Sequence, residues 1–306
     1  MAGSLAAVIA EAEPAQLPLP GGQQGATVRL HPLNTGELPG PPAWFEREEG
    51  RLAGVHANGF MVDRSTFMRI PVPAFLVEHP GIGPMLIDTG LHPSVAVDPK
   101  QNLGRMLAYY YRGLKMNAEQ AIPAQLRART LDAADIRFVL MTHMHVDHAS
   151  AVSEFPHTTF VLSQQEWDQL ESGKPTEGYV KRQYDFGFDF RTFDFDSPGT
   201  ESFATFGRSF DLFGDGSIRA VFTPGHTHGH TSYVLRLRDR EVLIACDAIY
   251  TMRTLEEDVL PYKMADEHQF RRSLKEIQRY RERTPGALII PGHDWNAFSA
   301  LDPVYE

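Results

Sequence analysis

The segment Thr142-His143-Met144-His145-Val146-Asp147-His148 places three imidazoles and a carboxylate within six residues. Imidazole suits zinc or iron, and a carboxylate completes a hard-to-borderline site. If the chain is extended, residues 143 and 145 project the same way and can share one ion. Asp147 and His148 follow where the chain must turn, so they can face a second ion. Three later stretches add donors: Thr223-Pro224-Gly225-His226-Thr227-His228-Gly229-His230, then Asp247, then Pro291-Gly292-His293-Asp294. Two metals about 3.5–4 Å apart need roughly six protein ligands, one of them bridging. His143, His145 and His226 supply the first ion; Asp147, His148 and His293 supply the second, with Asp247 between. Unpaired buried polar groups are costly, which argues against a fortuitous cluster.

Each donor follows an apolar run that reads as a strand. Ile136–Thr142 is continuously apolar, as expected of a strand buried on both faces. Ile218–Thr223 precedes His226, Val242–Cys246 precedes Asp247, and Ala287–Ile290 precedes His293. Ligand sites in layered sheet folds gather at strand ends. Further strands are expected at Pro73–His79 and Pro84–Thr89, joined as a hairpin by Pro80-Gly81-Ile82-Gly83, and at Thr158–Leu162 and Thr231–Leu237. Helical spacing marks Asn102–Met116. Ser163-Gln164-Gln165-Glu166 reads as a capping box, with Glu166 reaching back, and opens a helix to about Glu171. Asp266 caps a helix striped by Phe270, Leu274, Ile277 and Tyr280. Strands in two groups with helices between them suit two packed sheets with helices outside.

Composition narrows the function. The chain has 306 residues, 42% hydrophobic and 22% charged, long enough for a large core. One cysteine excludes an intramolecular disulfide and a thiolate-rich zinc site, so a metal must use His and carboxylates. The net charge of −10 argues against nucleic acid as a partner. No apolar run reaches the length of a membrane span, and Leu5–Ala10 lacks the basic flank of a secretory signal. A cytoplasmic location is the resulting expectation. Residues 1–24 read as a loosely ordered lead-in and 25–306 as one domain. Within it, the Phe- and Asp-rich stretch 174–216 has no clean period and reads as an insertion, either packed on the body or serving as a lid or pocket wall. A homodimer is the default oligomer.

The HxHxDH set at 143–148, the TPGHTxGH element at 223–230, Asp247 and the GHD at 292–294 together resemble the metallo-β-lactamase superfamily. The successive intervals of 78 residues from His148 to His226, 21 on to Asp247 and 46 on to His293 match its hydrolase members, and Leu86-Ile87-Asp88-Thr89-Gly90 resembles its early strand–turn signature. The resemblance covers about residues 70–295. It implies an α/β fold, a four-layer αββα sandwich with a dinuclear metal site at the sheet edge. Asp247-Ala248-Ile249-Tyr250 is similar to the corresponding run of N-acyl homoserine lactonases, in which a Tyr three residues after the bridging Asp points at the substrate carbonyl. Tyr250 holds that position.

The resemblance therefore implies a lactonase that opens the ring of N-acyl homoserine lactones, a quorum-quenching activity. A water held between two divalent ions, zinc first and iron, cobalt or manganese as alternatives, attacks the carbonyl. Tyr250 supports the oxyanion, and Asp147, preferred over Asp247 because the latter is tied to both ions, passes a proton to the leaving oxygen. The alternatives are a phosphotriester hydrolase resembling methyl parathion hydrolase and a thioesterase resembling glyoxalase II. The segment after His293 has no Lys or Arg for the glutathione carboxylates of the latter. His230 and Asp88 are expected to orient ligands, and Cys246 to point away from the site as a small buried hydrophobe. His228 and the six histidines outside these motifs are expected to be structural or solvated.

Overall fold

The computed structural model describes residues 10–306. Two sheets face each other. The first orders β1 (Ala12–Pro14), β7 (Asp189–Phe193), β6 (Thr159–Ser163), β5 (Phe138–Leu140), β4 (Gly83–Ile87), β3 (Met68–His79) and β2 (Arg29–Gly40). The second orders β13 (Leu288–Pro291), β12 (Glu241–Cys246), β11 (Thr231–Arg236), β10 (Ile218–Phe222), β9 (Phe206–Asp211) and β8 (Glu201–Phe203).

Alternation along the strands sorts side chains into layers. Phe75, Val77, Ile87, Phe138 and Leu140 from the first sheet meet Ile218, Ala220, Phe222, Val242 and Ile244 from the second, in one core between the sheets. The opposite face of the first sheet, with Leu76, Leu86, Val139 and Phe160, packs on Ile122, Leu126 and Leu170 of two helices. The opposite face of the second, with Val221, Val234, Leu243 and Ala245, packs on Phe270, Leu274 and Ile277 of helix Glu267–Arg283. The result is the expected αββα layering. Strands β4, β5, β6 and β7 pair in parallel, so β4 and β5 end at the same edge. β12 and β13 likewise run parallel and end together.

The stretch 174–216, which shows no clean period in the sequence, contains β7, β8 and β9, and Phe190, Phe193, Phe195, Phe206, Phe210 and Phe213 are all buried, packing it onto the body. Phenylalanines on both faces of these strands erase the alternation that would mark them. The lead-in over 1–24 is docked where it is described; residues 1–9 lie outside the described residues. Ala12–Pro14 pairs with Phe190–Thr192, and Leu19 is buried with its N–H bonded to Leu212 O at 2.7 Å. Burying Leu19 in the inter-sheet core draws this Pro-rich run onto the body. The helix expected at Asn102–Met116 spans Pro99–Tyr110, capped by Asp98 and broken at Gly104, whose φ is +77°. Among the described residues, no helix is long and apolar enough to cross a membrane.

Candidate metal centre

The ends of β4, β5, β10, β12 and β13 converge on one edge of the sandwich. They bring together all seven residues expected to ligate metal. His226 Nε2 lies 3.1 Å from His143 Nε2 and 2.9 Å from His145 Nδ1. A tetrahedral ion holding nitrogens at about 2.0–2.1 Å spaces them by roughly 3.3 Å, so the trio is close to the required shape. Asp147, His148 and His293 form a neighbouring trio: Asp147 Oδ2 is 3.8 Å from His148 Nε2 and 3.5 Å from His293 Nε2. Asp247 sits between the trios. Its Oδ2 is 3.2 Å from both His226 Nε2 and His293 Nε2, and its Oδ1 is 3.6 Å from His148 Nε2. Among the described residues, His148 Nε2 and Asp247 Oδ1 are buried with no hydrogen-bond partner. Buried polar atoms left so are rare, and two of them aimed at a common point among His and Asp donors fit a cation.

Protonation follows the same division. Burial, with the repulsion of neighbouring rings, holds His143 well below the ordinary 6.5. Burial also takes His226 well below that value and His145 to about 4. These three rings are neutral at pH 7, with lone pairs free for a metal. For His148 burial works downward, but Asp147, Asp88 and Asp247 together outweigh it and hold the ring well above 6.5. His293 is likewise opposed by burial and raised by Asp247 and Asp147. Burial opposes the Asp247 carboxylate, yet His293, His226 and His148 keep it well below 3.8.

Groups just outside the donors fix their orientation. Asp88, at φ +57° beyond β4, accepts from Thr142 N at 2.8 Å and Thr142 Oγ1 at 2.7 Å, and its Oδ2 is 2.8 Å from His148 Nδ1. The Nδ1–H given to Asp88 turns His148 Nε2 toward the centre. His293 Nδ1 is 3.2 Å from Pro71 O, with the same consequence for its Nε2. A Cβ at Gly292 would stand 2.3 Å from Asp247 Oδ1, so only glycine fits beside that carboxylate. His230 is buried against the cluster, its Nδ1 3.0 Å from Thr223 Oγ1 and its ring 5.3 Å from that of His143, but it joins neither trio. His228 lies on the exposed side of its loop.

The Tyr250 ring is buried beside the donors, with its hydroxyl 3.0 Å from His226 Nδ1. Cys246 is buried in the inter-sheet core as expected, but it does not point away from the site. Its φ is +46°, so the strand does not continue extended through it, and its thiol points at Asp88 Oδ2, 3.7 Å away.

Glu166 is a residue whose role the motif obscured. Ser163 Oγ does accept from Glu166 N at 3.1 Å, but the carboxylate does not reach back to the cap. It is buried beneath the donors and accepts from Met144 N at 2.9 Å, Tyr179 Oη at 3.1 Å and Thr227 Oγ1 at 2.6 Å. One carboxylate thus braces the loop carrying His143 and His145 against the loop carrying His226. Burial pushes it up to about 7, against the pull of its donors. Tyr179 packs its ring 4.8 Å from that of His145.

The chain belongs to the metallo-beta-lactamase superfamily, whose family model matches residues 68–293. Within it, the chain is 33% identical over 250 residues to the N-acyl homoserine lactonase AttM of Azorhizobium caulinodans, covering 78% of this chain and 88% of that protein. It is 25% identical over 257 residues to an N-acyl homoserine lactonase of Bacillus cereus, covering 80% and 93%. A solved structure of a mutant AiiA from B. thuringiensis, with N-decanoyl-L-homoserine bound at the active site, superposes with a TM-score of 0.72. That likeness has 20% identity and covers 92% of this chain and 100% of the other.

Proposed function

We propose that this protein is a metal-dependent hydrolase that opens the lactone ring of N-acyl homoserine lactones, and so quenches quorum signals. The observation that carries the proposal is the pair of adjoining donor trios sharing Asp247, beside a buried tyrosine hydroxyl. The relatives bearing the lactonase name direct it toward lactones. His143, His145 and His226 would hold one divalent ion, and Asp147, His148 and His293 a second, with Asp247 serving both. Zinc is the first choice, because tetrahedral His and carboxylate sets suit it. Bound there, the ions supply Lewis acidity and a water acidic enough to react near neutral pH.

The chain's own residues handle the rest. Burial, with the nearby Asp247 and Asp147 charges, holds the Tyr250 hydroxyl well above 10, so it stays protonated and can donate. Turned from His226 to the substrate, Tyr250 Oη–H donates to the carbonyl oxygen as negative charge develops there. Asp147 is the more exposed of the two carboxylates, with 11% of its side chain accessible against 4% for Asp247. One of its carboxylate oxygens would take the proton that the attacking water gives up and pass it to the ring oxygen as the bond between the carbonyl carbon and that oxygen breaks. Buried aromatic and aliphatic residues, Phe45, Tyr111, Val146 and Val180 among them, form an apolar wall around Tyr250 that keeps bulk water away.

The test is a substrate panel on the metal-loaded protein: N-acyl homoserine lactones of several chain lengths, a phosphotriester and lactoylglutathione. The lactones are expected to give the highest kcat/KM. A thousandfold preference for the phosphotriester or the thioester over every lactone would overturn the assignment.

A further inference from the structure

A second set of unsatisfied polar groups lies one residue layer away from the donors. The Lys263 ammonium stands 5.3 Å from the Trp44 ring centroid and 5.5 Å from that of Tyr110. Among the described residues no carboxylate reaches it within 4.0 Å, and burial alone lowers its pKa, with no charged neighbour to offset it. The two aromatic residues bring donors of their own. Trp44 Nε1 and Tyr110 Oη are buried and, among the described residues, have no hydrogen-bond partner. Burial pushes the Tyr110 phenol up to about 12, so it keeps its proton.

This wall is continuous with the metal centre. Lys263 O is 3.5 Å from Tyr250 Oη, the hydroxyl that touches His226. Trp44 packs on Phe45, and Phe45 in turn packs on Tyr250 and His293, with centroids 5.5, 5.8 and 6.5 Å apart. The next residues are tied to the ligand loop through Ala265 N–His226 O at 3.1 Å and Asp266 N–Gly225 O at 3.0 Å. A half-buried cation beside two orphaned N–H and O–H donors is costly unless an acceptor joins them.

We propose that Lys263, Trp44 and Tyr110 form the subsite that takes the carbonyl oxygen of the substrate's acyl amide. This rests on the lactonase reading. The amide is attached to the carbon beside the lactone carbonyl, so with the ring over the donor trios its oxygen falls in the layer just outside them. Three donors and no competing carboxylate match a carbonyl acceptor, and the Trp44 and Tyr110 faces flank the start of the acyl chain. Lys263 is a recognition residue here and takes no part in breaking the ring.

The experiment compares N-hexanoyl-L-homoserine lactone with γ-butyrolactone, which lacks the acyl amide, on metal-loaded wild type, Lys263→Met and Lys263→Arg. A charge-assisted hydrogen bond is worth about ten- to a hundredfold in binding. Lys263→Met is therefore expected to lower the ratio of kcat/KM for the acylated over the plain lactone by at least about tenfold, mainly through KM. Lys263→Arg, which keeps a cationic donor, should lower it less, and covers the case in which the methionine variant does not fold. If wild type opens both lactones and neither variant moves the ratio, the subsite is wrong and the lactonase reading stands. An equal loss on both lactones also overturns the subsite, because it places Lys263 at the reacting ring. If wild type opens neither lactone, the lactonase reading falls and takes the subsite with it.

Discussion

The hydroxyl of Tyr250 lies 3.0 Å from Nδ1 of His226, on the side of the imidazole opposite the nitrogen that joins His143 and His145. One hydroxyl thus stands at the boundary between holding a ligand in place and meeting a substrate. The two roles separate in a variant. Tyr250→Phe keeps the ring packing and removes the donor. Loss of one oxyanion donor costs on the order of 10²–10³ in kcat. Turnover of an acyl homoserine lactone should fall by about that much while bound metal stays at its wild-type level. Unchanged turnover would remove Tyr250 from the reaction, and a loss of metal would make it a support for His226.

Asp88 is the residue that aims His148. Asp88→Ala leaves the His148 Nδ1–H and the Thr142 N–H without their acceptor. Groups that orient a metal ligand typically carry 10–100-fold in affinity. A chelator-competition titration should show metal affinity weakened by about that factor. The conservative Asp88→Asn, which keeps an acceptor oxygen, should lose less.

Glu166 should matter for stability first. Glu166→Ala strands the buried Met144 N–H along with two hydroxyls. Each orphaned buried donor costs about 1–3 kcal/mol. Because the Tyr179 and Thr227 hydroxyls can turn, we expect a loss of about 3 kcal/mol in denaturant unfolding. Glu166→Gln preserves one acceptor for Met144 N and should lose clearly less. Equal unfolding midpoints for wild type and the alanine variant would show that the two ligand loops do not need this brace.

Metal uptake should release protons from only one trio. His143, His145 and His226 are held below 6.5 and are already neutral at pH 7. The carboxylates around them raise His148 well above 6.5 and His293 above it, so the metal-free protein holds protons there more tightly than free imidazoles would. A cation must displace those protons, so affinity falls as pH drops through their raised pKa values. Titration calorimetry of the stripped protein with zinc at pH 7, repeated in buffers of different ionisation enthalpy, should report on the order of one to two protons released. Release of none would contradict the assigned protonation.

Much of this centre was readable from residue order alone, because β5, β10, β12 and β13 are apolar runs that each lead to a donor. Which residues face the inter-sheet core was not readable, because a run such as Val242–Cys246 is apolar throughout and only the fold sends Val242 and Ile244 one way and Leu243 and Ala245 the other. Other parts had no such signal. β2 carries Pro32, Gly36 and Pro39, which interrupt any strand pattern, and it is an edge strand, where proline is tolerated. β7, β8 and β9 hide in phenylalanines that serve two cores at once. The bracing carboxylate of Glu166 was masked by a correct local cue, since Ser163 caps its helix as the motif implies while the side chain turns elsewhere. Lys263 and Trp44 lie 219 residues apart in the chain, and only the tertiary fold brings them together.

The central claim is that the two donor trios hold metal for opening a lactone ring. It is met most directly by incubating N-hexanoyl-L-homoserine lactone with metal-loaded, chelator-stripped and zinc-restored protein, and identifying the product by mass spectrometry with metal content measured on the same samples. The loaded and restored protein, with about two ions per chain, should yield N-hexanoyl-L-homoserine, one water heavier than the substrate, and the stripped protein should yield none above the buffer rate. Ring opening that persists undiminished in fully stripped protein, or a fully loaded protein that leaves the lactone intact, would contradict it.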